Sequence, residues 1–203
     1  MDIKHFIKAK LQDYFKSRLK LQVNTFKNNF DSDSFENVAL LFPVRGKNDM
    51  DLLRNVVRKA KQDSLKITVV VFSFTIDMPD LITDRNLYIF NADSFNYKWQ
   101  PNDDLKQWLE KRKFDLLINF DFNGLFELKN LHNLINAGFK IANQSESLHN
   151  YCDLTINIDE NKINWAAFYT LAIRNLKMLK IKKNDTRNRS SNSNTLQQER
   201  GNR

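Results

Sequence analysis

The chain has 203 residues, of which 41% are hydrophobic and 28% are charged, proportions typical of a globular protein. No apolar run approaches the roughly 18 residues needed to span a bilayer. The single cysteine excludes an intramolecular disulfide and a zinc site built from several cysteines. The first residues carry charges where a signal peptide needs an apolar stretch, which predicts a cytoplasmic protein.

The net charge of +8 is concentrated at the two ends of the chain. Residues 1–27 carry seven basic and two acidic side chains, and residues 180–203 carry the same numbers, so each end has a charge of +5. The rest of the chain therefore has a charge of −2. This distribution predicts a nearly neutral folded domain between two basic ends.

Residues 1–27 are predicted to form a basic amphipathic helix. Apolar side chains, among them Phe6, Ile7 and Phe15, recur at spacings of three and four, and lysines fill the remaining arc. Such a helix can pack on its own domain, lie on an anionic membrane or contact nucleic-acid phosphates. Residues 28–37 are rich in Asn, Asp and Ser, which predicts a linker.

Residues 38–180 alternate between short apolar runs and amphipathic stretches, followed by a predicted disordered basic tail over 181–203. The apolar runs predict strands at 38–44, 67–74, 87–90, 116–120, 139–143 and 154–158. The amphipathic stretches predict four helices between or after these strands. The alternation predicts a Rossmann-like α/β fold, with one open, mostly parallel sheet and helices on both faces.

Capping residues predict where these helices begin and end. Asn48 or Asp49 is expected to cap the first, and Asp103 or Asp104 the second, which should run through residue 113. Gly138 is expected to end the third helix, because glycine tolerates left-handed dihedral angles. The last helix is predicted over residues 165–179.

In an open parallel sheet, ligands bind at the loops that follow the carboxyl ends of the strands. The candidate ligand residues in those loops are Arg45, Lys47, Asn48, Asp93, Asp121 and Asn123. The basic turn around Gly46 precedes a helix and could hold one phosphate, but ordinary basic surface turns have the same composition. Asp93 and Asp121 are the two acids among these residues, and their side chains are expected to face each other.

Catalytic signatures are missing from the sequence. Its four glycines form neither a dinucleotide fingerprint nor a phosphate-binding P-loop. The histidines have no partner ligand at metal spacing, and Cys152 is expected to be a small hydrophobe rather than a nucleophile. We therefore predict no catalytic residue, cofactor or metal.

A polar and aromatic loop at residues 91–101 contains Phe95, Tyr97 and Trp99 at alternate positions. On an extended segment these rings would project to one side and could stack nucleic-acid bases or contact a partner. Large aromatic side chains in loops more often cover the end of the core. The sequence favours this second interpretation.

Three short stretches carry a family resemblance: residues 114–119 (Phe-Asp-Leu-Leu-Ile-Asn), 137–141 (Ala-Gly-Phe-Lys-Ile) and 151–156 (Tyr-Cys-Asp-Leu-Thr-Ile). They resemble an uncharacterised family of small Bacteroidota proteins with a basic N-terminal helix and a compact α/β domain. Here Ala142 and Asn143 stand where that family tends to have glycine. The strand-helix-strand unit is also similar to the N-terminal half of heptosyltransferase-type glycosyltransferases. The resemblance implies a fold and no activity.

Two hypotheses follow for the function. The first is a non-enzymatic cytoplasmic module whose basic ends bind a polyanion, either RNA in a ribosomal setting or the anionic face of the inner membrane. The cations expected to contact it are Lys4, Lys8, Lys16, Arg18, Lys182, Lys183, Arg187 and Arg189. The alternative is an enzyme or binder for a small phosphorylated ligand or nucleotide at the strand ends. Neither hypothesis identifies a protein partner.

Overall fold

The computed structural model describes residues 7, 8, 10–12, 14, 35–63, 65–75, 86–144, 151–158 and 164–178. The strands are β1 (Asn37–Val44), β2 (Lys66–Ser73), β3 (Leu87–Phe90), β4 (Phe114–Asn119), β5 (Ala137–Asn143) and β6 (Leu154–Ile156). The helices are α1 (Lys47–Gln62), α2 (Asp103–Glu110), α3 (Phe126–Leu134) and α4, which is helical over residues 165–178.

All six strands form one parallel sheet in the order β3-β2-β1-β4-β5-β6. This is the strand order of a doubly wound, Rossmann-like sheet, so the predicted fold class is confirmed. The central strand β1 is buried along almost its whole length. Its near-continuous apolar sequence reflects burial on both faces.

The helices cover both faces of the sheet. α1 and α4 pack on one face through residues such as Val56 and Phe168. α2 and α3 pack on the other through residues such as Leu105 and Leu131. No helix in the described part of the chain is long and apolar enough to cross a membrane.

The predicted helix caps are wrong. α1 begins directly after Gly46 with no side-chain cap, and the carboxylate of Asp49 instead accepts a hydrogen bond from the Arg45 N–H at 2.8 Å. α2 is capped by Asn102, whose side chain accepts from the Leu105 N–H, and it ends at Glu110 rather than at residue 113. In both places several neighbouring polar residues could serve as a cap, and tertiary packing decides which one does.

Gly138 does not end α3, contrary to the prediction. The helix ends at Leu134, Ile135 has extended backbone, and Gly138 is the second residue of β5. A Cβ atom at Gly138 would lie 3.3 Å from the carbonyl oxygen of Asp115 on the neighbouring strand. Glycine therefore relieves a close contact between β4 and β5 at this position.

Several predicted segments lie outside the described residues. They are most of the predicted basic helix (1–27), most of the linker (28–34), the tail (181–203) and all the predicted polyanion-binding cations other than Lys8.

Candidate functional site

The ends of β1 and β4 form the switch point of the sheet. The two strands are neighbours, and the chain leaves β1 towards the α1 face and β4 towards the α3 face. Such a divergence opens the crevice in which doubly wound proteins usually bind ligands. Five of the six predicted ligand residues follow these two strands: Arg45, Lys47, Asn48, Asp121 and Asn123.

Asp121 is fully buried in this region and organises its own loop. Its carboxylate accepts the N–H of Asn123 at 3.0 Å and that of Leu125 at 2.6 Å, just before α3 begins. Burial raises the pKa of Asp121 to about 6, against the opposing effects of these hydrogen bonds and of Arg45. Both carboxylate oxygens therefore serve the loop that leads into α3.

Asp93, the sixth candidate, lies away from this crevice. It follows β3, which is separated from β4 by β2 and β1, a distance of roughly 14 Å at ~4.8 Å per strand. Its carboxylate pairs with Lys8 at 2.8 Å. The strand order therefore does not bring the two acids together.

A buried polar cluster around His132 was not predicted from the sequence. The ring of His132 is fully buried on α3, with Nε2 at 2.9 Å from the Tyr151 carbonyl and Nδ1 at 3.4 Å from the Asn119 amide nitrogen. The first contact requires a proton on Nε2, and the second requires none on Nδ1. Burial and the nearby Lys140 lower the pKa of His132 to about 3, so the imidazole is neutral.

Lys140 caps the end of α3 from the adjacent strand. Its ammonium group donates to the carbonyls of His132 at 2.7 Å and Asn133 at 3.4 Å. These carbonyls lack helical partners and lie at the negative end of the helix dipole. Burial lowers the pKa of Lys140 to about 8. A lysine within the apolar run of β5 was the sequence signal for such a buried and partnered cation.

Cys152 lies near this cluster but is not activated. Its Sγ atom is 3.6 Å from Nε2 of His132, a distance that suggests a cysteine–histidine pair. Nε2 already carries a proton, however, so it cannot take one from the thiol. Burial raises the pKa of Cys152 to about 12, which leaves the thiol protonated and a poor nucleophile.

The N-terminal segment, defined here as the described residues between 7 and 14, is helical and lies against the loop after β3. Gln12 donates to the Ala92 carbonyl at 3.0 Å, and its own carbonyl accepts from Nε1 of Trp99 at 3.0 Å. The segment therefore packs on its own domain through polar contacts. Ile7 and Leu11, spaced one helical turn apart, are 52% and 40% exposed.

The aromatic loop covers the core, as the sequence favoured, but only with two of its three rings. Phe95 and Trp99 are buried in the α2/α3 layer, whereas Tyr97 is 42% exposed. The chain turns between these residues, where the Trp99 N–H donates to the Asn96 carbonyl at 3.0 Å, so the rings do not project to one side. Trp99 has a φ of 59°, unusual for a bulky side chain, and it is held there by its packing and hydrogen bonds.

Basic side chains collect on the outer side of α1 and α4, which we call the α1/α4 surface. α1 carries five cations and two acids, and residues 165–178 carry two cations and no acid, which gives +5. α2 and α3 on the other face carry −2. The cations are Lys47, Arg54, Arg58, Lys59, Lys61, Arg174 and Lys177. The helices of the two faces therefore differ in net charge, although Lys111, Arg112 and Lys113 follow α2 directly and add three cations on that side.

Two grooves flank α1 on this surface. One, of about 240 Å³, lies over the β2–β3 side of the sheet and has an apolar floor with Arg54, Arg58 and Lys61 among its lining residues. The other, of about 370 Å³, lies between α1 and α4 and includes Lys59, Arg174 and Lys177. Asp63 also lines the second groove, where its carboxylate accepts a hydrogen bond from the hydroxyl of Tyr169 at 2.7 Å.

Comparison with known proteins identifies the family of the chain. A family model described as a family of unknown function, DUF6913, matches residues 5–179. The chain belongs to DUF6913. No curated protein and no solved structure matches it.

The DUF6913 match extends over every described strand and helix, from the N-terminal segment to α4. The α1/α4 surface and the His132 cluster thus both lie within the family region. The cations beyond residue 179 lie outside it.

Proposed function

We propose that this DUF6913 chain is a non-enzymatic, cytoplasmic module that binds RNA through the α1/α4 surface and the basic tail. The supporting observation is the concentration of charge on the α1/α4 surface, where seven cations and two acids give +5. The tail over residues 181–203 carries six more cations and follows α4 in the sequence. Cations gathered in this way can neutralise several phosphates of one polyanion.

RNA is favoured over a membrane by where the apolar side chains lie. An interfacial helix needs exposed apolar residues next to its cations. The α1/α4 surface exposes single apolar side chains on separate helices, Leu52 at 41% and Met178 at 43%. The pair Ile7 and Leu11 belongs instead to the N-terminal segment, which contacts the loop around Trp99 in the α2/α3 layer. The cationic surface lies on the opposite face of the sheet. One flat bilayer could not engage both.

A binding role rather than catalysis is also supported by the hydrogen bonds that occupy the buried titratable side chains. The side chains of Asp121, His132 and Lys140 are each hydrogen-bonded to backbone groups of other residues, so they hold the fold together. The alternative, a small phosphorylated ligand at the strand ends, stays a prediction. Arg45 is its test position, because Lys47 also belongs to the α1/α4 surface.

Binding of the full chain to fluorescently labelled RNA should weaken steeply with salt. Neutralising six to ten phosphates predicts a loss of roughly 10³–10⁵ in affinity between 50 and 200 mM salt. Reversing charge on the proposed surface with Arg58→Glu and Arg174→Glu should weaken binding about tenfold or more. Fluorescence anisotropy across a salt series measures both effects.

The matched control is Lys98→Glu with Lys106→Glu, which reverses two exposed cations outside the α1/α4 surface. It should leave RNA affinity within about twofold, and thermal melts would verify that both double variants fold. Flotation with vesicles of 30% phosphatidylglycerol in phosphatidylcholine tests the competing partner. Vesicle binding without RNA binding would contradict the proposal.

A further inference from the structure

The cations of the α1/α4 surface form two rows, one on each side of α1. The first row, Arg54, Arg58 and Lys61, lines the groove towards β3, and within it Arg54 forms an ion pair with Asp51 at 2.8 Å. The second row, Lys59 with Arg174 and Lys177 of α4, lines the groove between the two helices. α1 is therefore a ridge between two parallel tracks of positive charge.

The separation of the rows is set by the width of the helix between them, roughly 10–12 Å with side chains. A single strand of nucleic acid has one line of phosphates and can follow only one track. A duplex has a line of phosphates on each side of a groove and can engage both. The paired arrangement of the cations thus matches a double-stranded ligand.

The side chains on this surface also argue against a single strand. Proteins that bind single strands without sequence preference stack the bases on exposed aromatic rings. On the described part of the α1/α4 surface the aromatic residues point inward, since Trp165 is 5% and Tyr169 is 1% exposed. Between the rows, the exposed amides of Asn55 and Gln62 can instead donate to ribose hydroxyls.

We infer that the α1 ridge binds the wide, shallow minor groove of A-form duplex RNA, with one row on the phosphates of each strand. This inference rests on the proposed function, which requires only that the surface bind RNA. The minor groove of B-form DNA, about 6 Å wide, is too narrow for the ridge. Its major groove, about 12 Å wide, is wide enough for a helix but lacks the 2′-hydroxyl groups that Asn55 and Gln62 would contact. Recognition would depend on shape and on the 2′-hydroxyl groups rather than on sequence.

The test measures binding of the full chain to a 20-base-pair RNA duplex, a single-stranded RNA of equal length and a DNA duplex of the same sequence. The RNA duplex should bind about tenfold or more tightly than either competitor. Two variants each reverse two of the three cations in one row: Arg58→Glu with Lys61→Glu, and Arg174→Glu with Lys177→Glu. Each should weaken duplex binding about tenfold or more and lower the salt slope by about one to two.

Three results would overturn the inference and leave the proposed function standing: equal affinity for single-stranded RNA, equal affinity for the DNA duplex, or one row variant that binds like the wild type. Failure to bind any RNA would overturn the proposed function itself. The Lys98→Glu, Lys106→Glu control and thermal melts of every variant separate a lost contact from a lost fold.

Discussion

At the scale of single residues, Asp121 makes stability depend on pH. Its pKa is about 6 in the folded chain and 3.8 ordinarily, so the folded state retains this proton to higher pH than the unfolded state. Its contribution therefore favours folding at low pH and is lost as pH rises from about 4 to 6. Relative to Asp121→Asn, the wild type should lose on the order of 2–3 kcal/mol of stability between pH 4 and 7.

Urea unfolding of the wild type and Asp121→Asn at half-unit pH steps measures that difference. The comparison cancels the titration of carboxyl groups that both proteins share. A difference that stays constant from pH 4 to 7 would show that burial does not control the ionisation of Asp121.

His132 should act in the opposite direction. Its pKa is about 3 when folded and 6.5 ordinarily, so below pH 6.5 the unfolded chain takes up a proton that the folded chain refuses. The stability gained from a neutral His132 is therefore lost as pH falls from about 6.5, by up to ~1.4 kcal/mol per pH unit. The wild type should lose stability relative to His132→Gln over this range.

Nitrogen NMR of the imidazole gives a direct check on His132. The ring should keep the signature of the neutral form protonated on Nε2 down to pH 4. An imidazolium spectrum at pH 5 in folded protein would refute the assignment. Because Asp121 and His132 titrate with opposite signs between pH 4 and 6, their effects on the wild type partly cancel, and the single variants reveal them.

At the scale of elements, Trp99 attaches the N-terminal segment to the domain. Trp99→Phe keeps a ring in the core but removes the indole hydrogen bond to the Gln12 carbonyl. We expect a loss of about 1 kcal/mol or somewhat more, the usual effect of removing a buried hydrogen bond. Hydrogen exchange should also become faster at residues 10–12.

The control for this variant is Tyr97→Ala, because Tyr97 lies in the same loop and is largely exposed. It should cost about 0.5 kcal/mol or less. Urea unfolding and hydrogen exchange by mass spectrometry measure both variants. If exchange at residues 10–12 is the same in Trp99→Phe as in the wild type, Trp99 does not hold the segment.

The bounds of the strands were largely predictable, because buried strands consist mainly of apolar residues. β1, β2 and β3 each lie within one residue of their predicted bounds, since apolar runs continue as long as both faces are covered. Helix ends were less predictable. Which of several neighbouring polar residues caps a helix depends on how the fold places them. Asn102, for example, caps α2 instead of Asp103 or Asp104.

At the scale of the whole molecule, the sequence could not predict the features that depend on contacts between residues far apart in the chain. Lys8 pairs with Asp93 85 positions away, and Lys59 reaches Thr170 111 positions away. The α1/α4 surface depends on such pairing, since the cations of α4 join those of α1 only after the sheet has formed. The candidate ligand residues, by contrast, could be predicted from the strand ends alone. Five of the six follow the neighbouring strands β1 and β4.

Because β1 lies at the centre of the sheet, one of its edges stays unpaired while the rest of the chain is being synthesised. Val38 pairs with Ile67 on one side and with Leu116 on the other. A chain growing at about 5–20 residues per second completes β1 roughly 4–14 s before Leu116 is made. During that interval the most apolar strand has an unpaired edge, a template for association with other nascent chains. The finished fold closes this edge and leaves the short strands β3 and β6 at its margins.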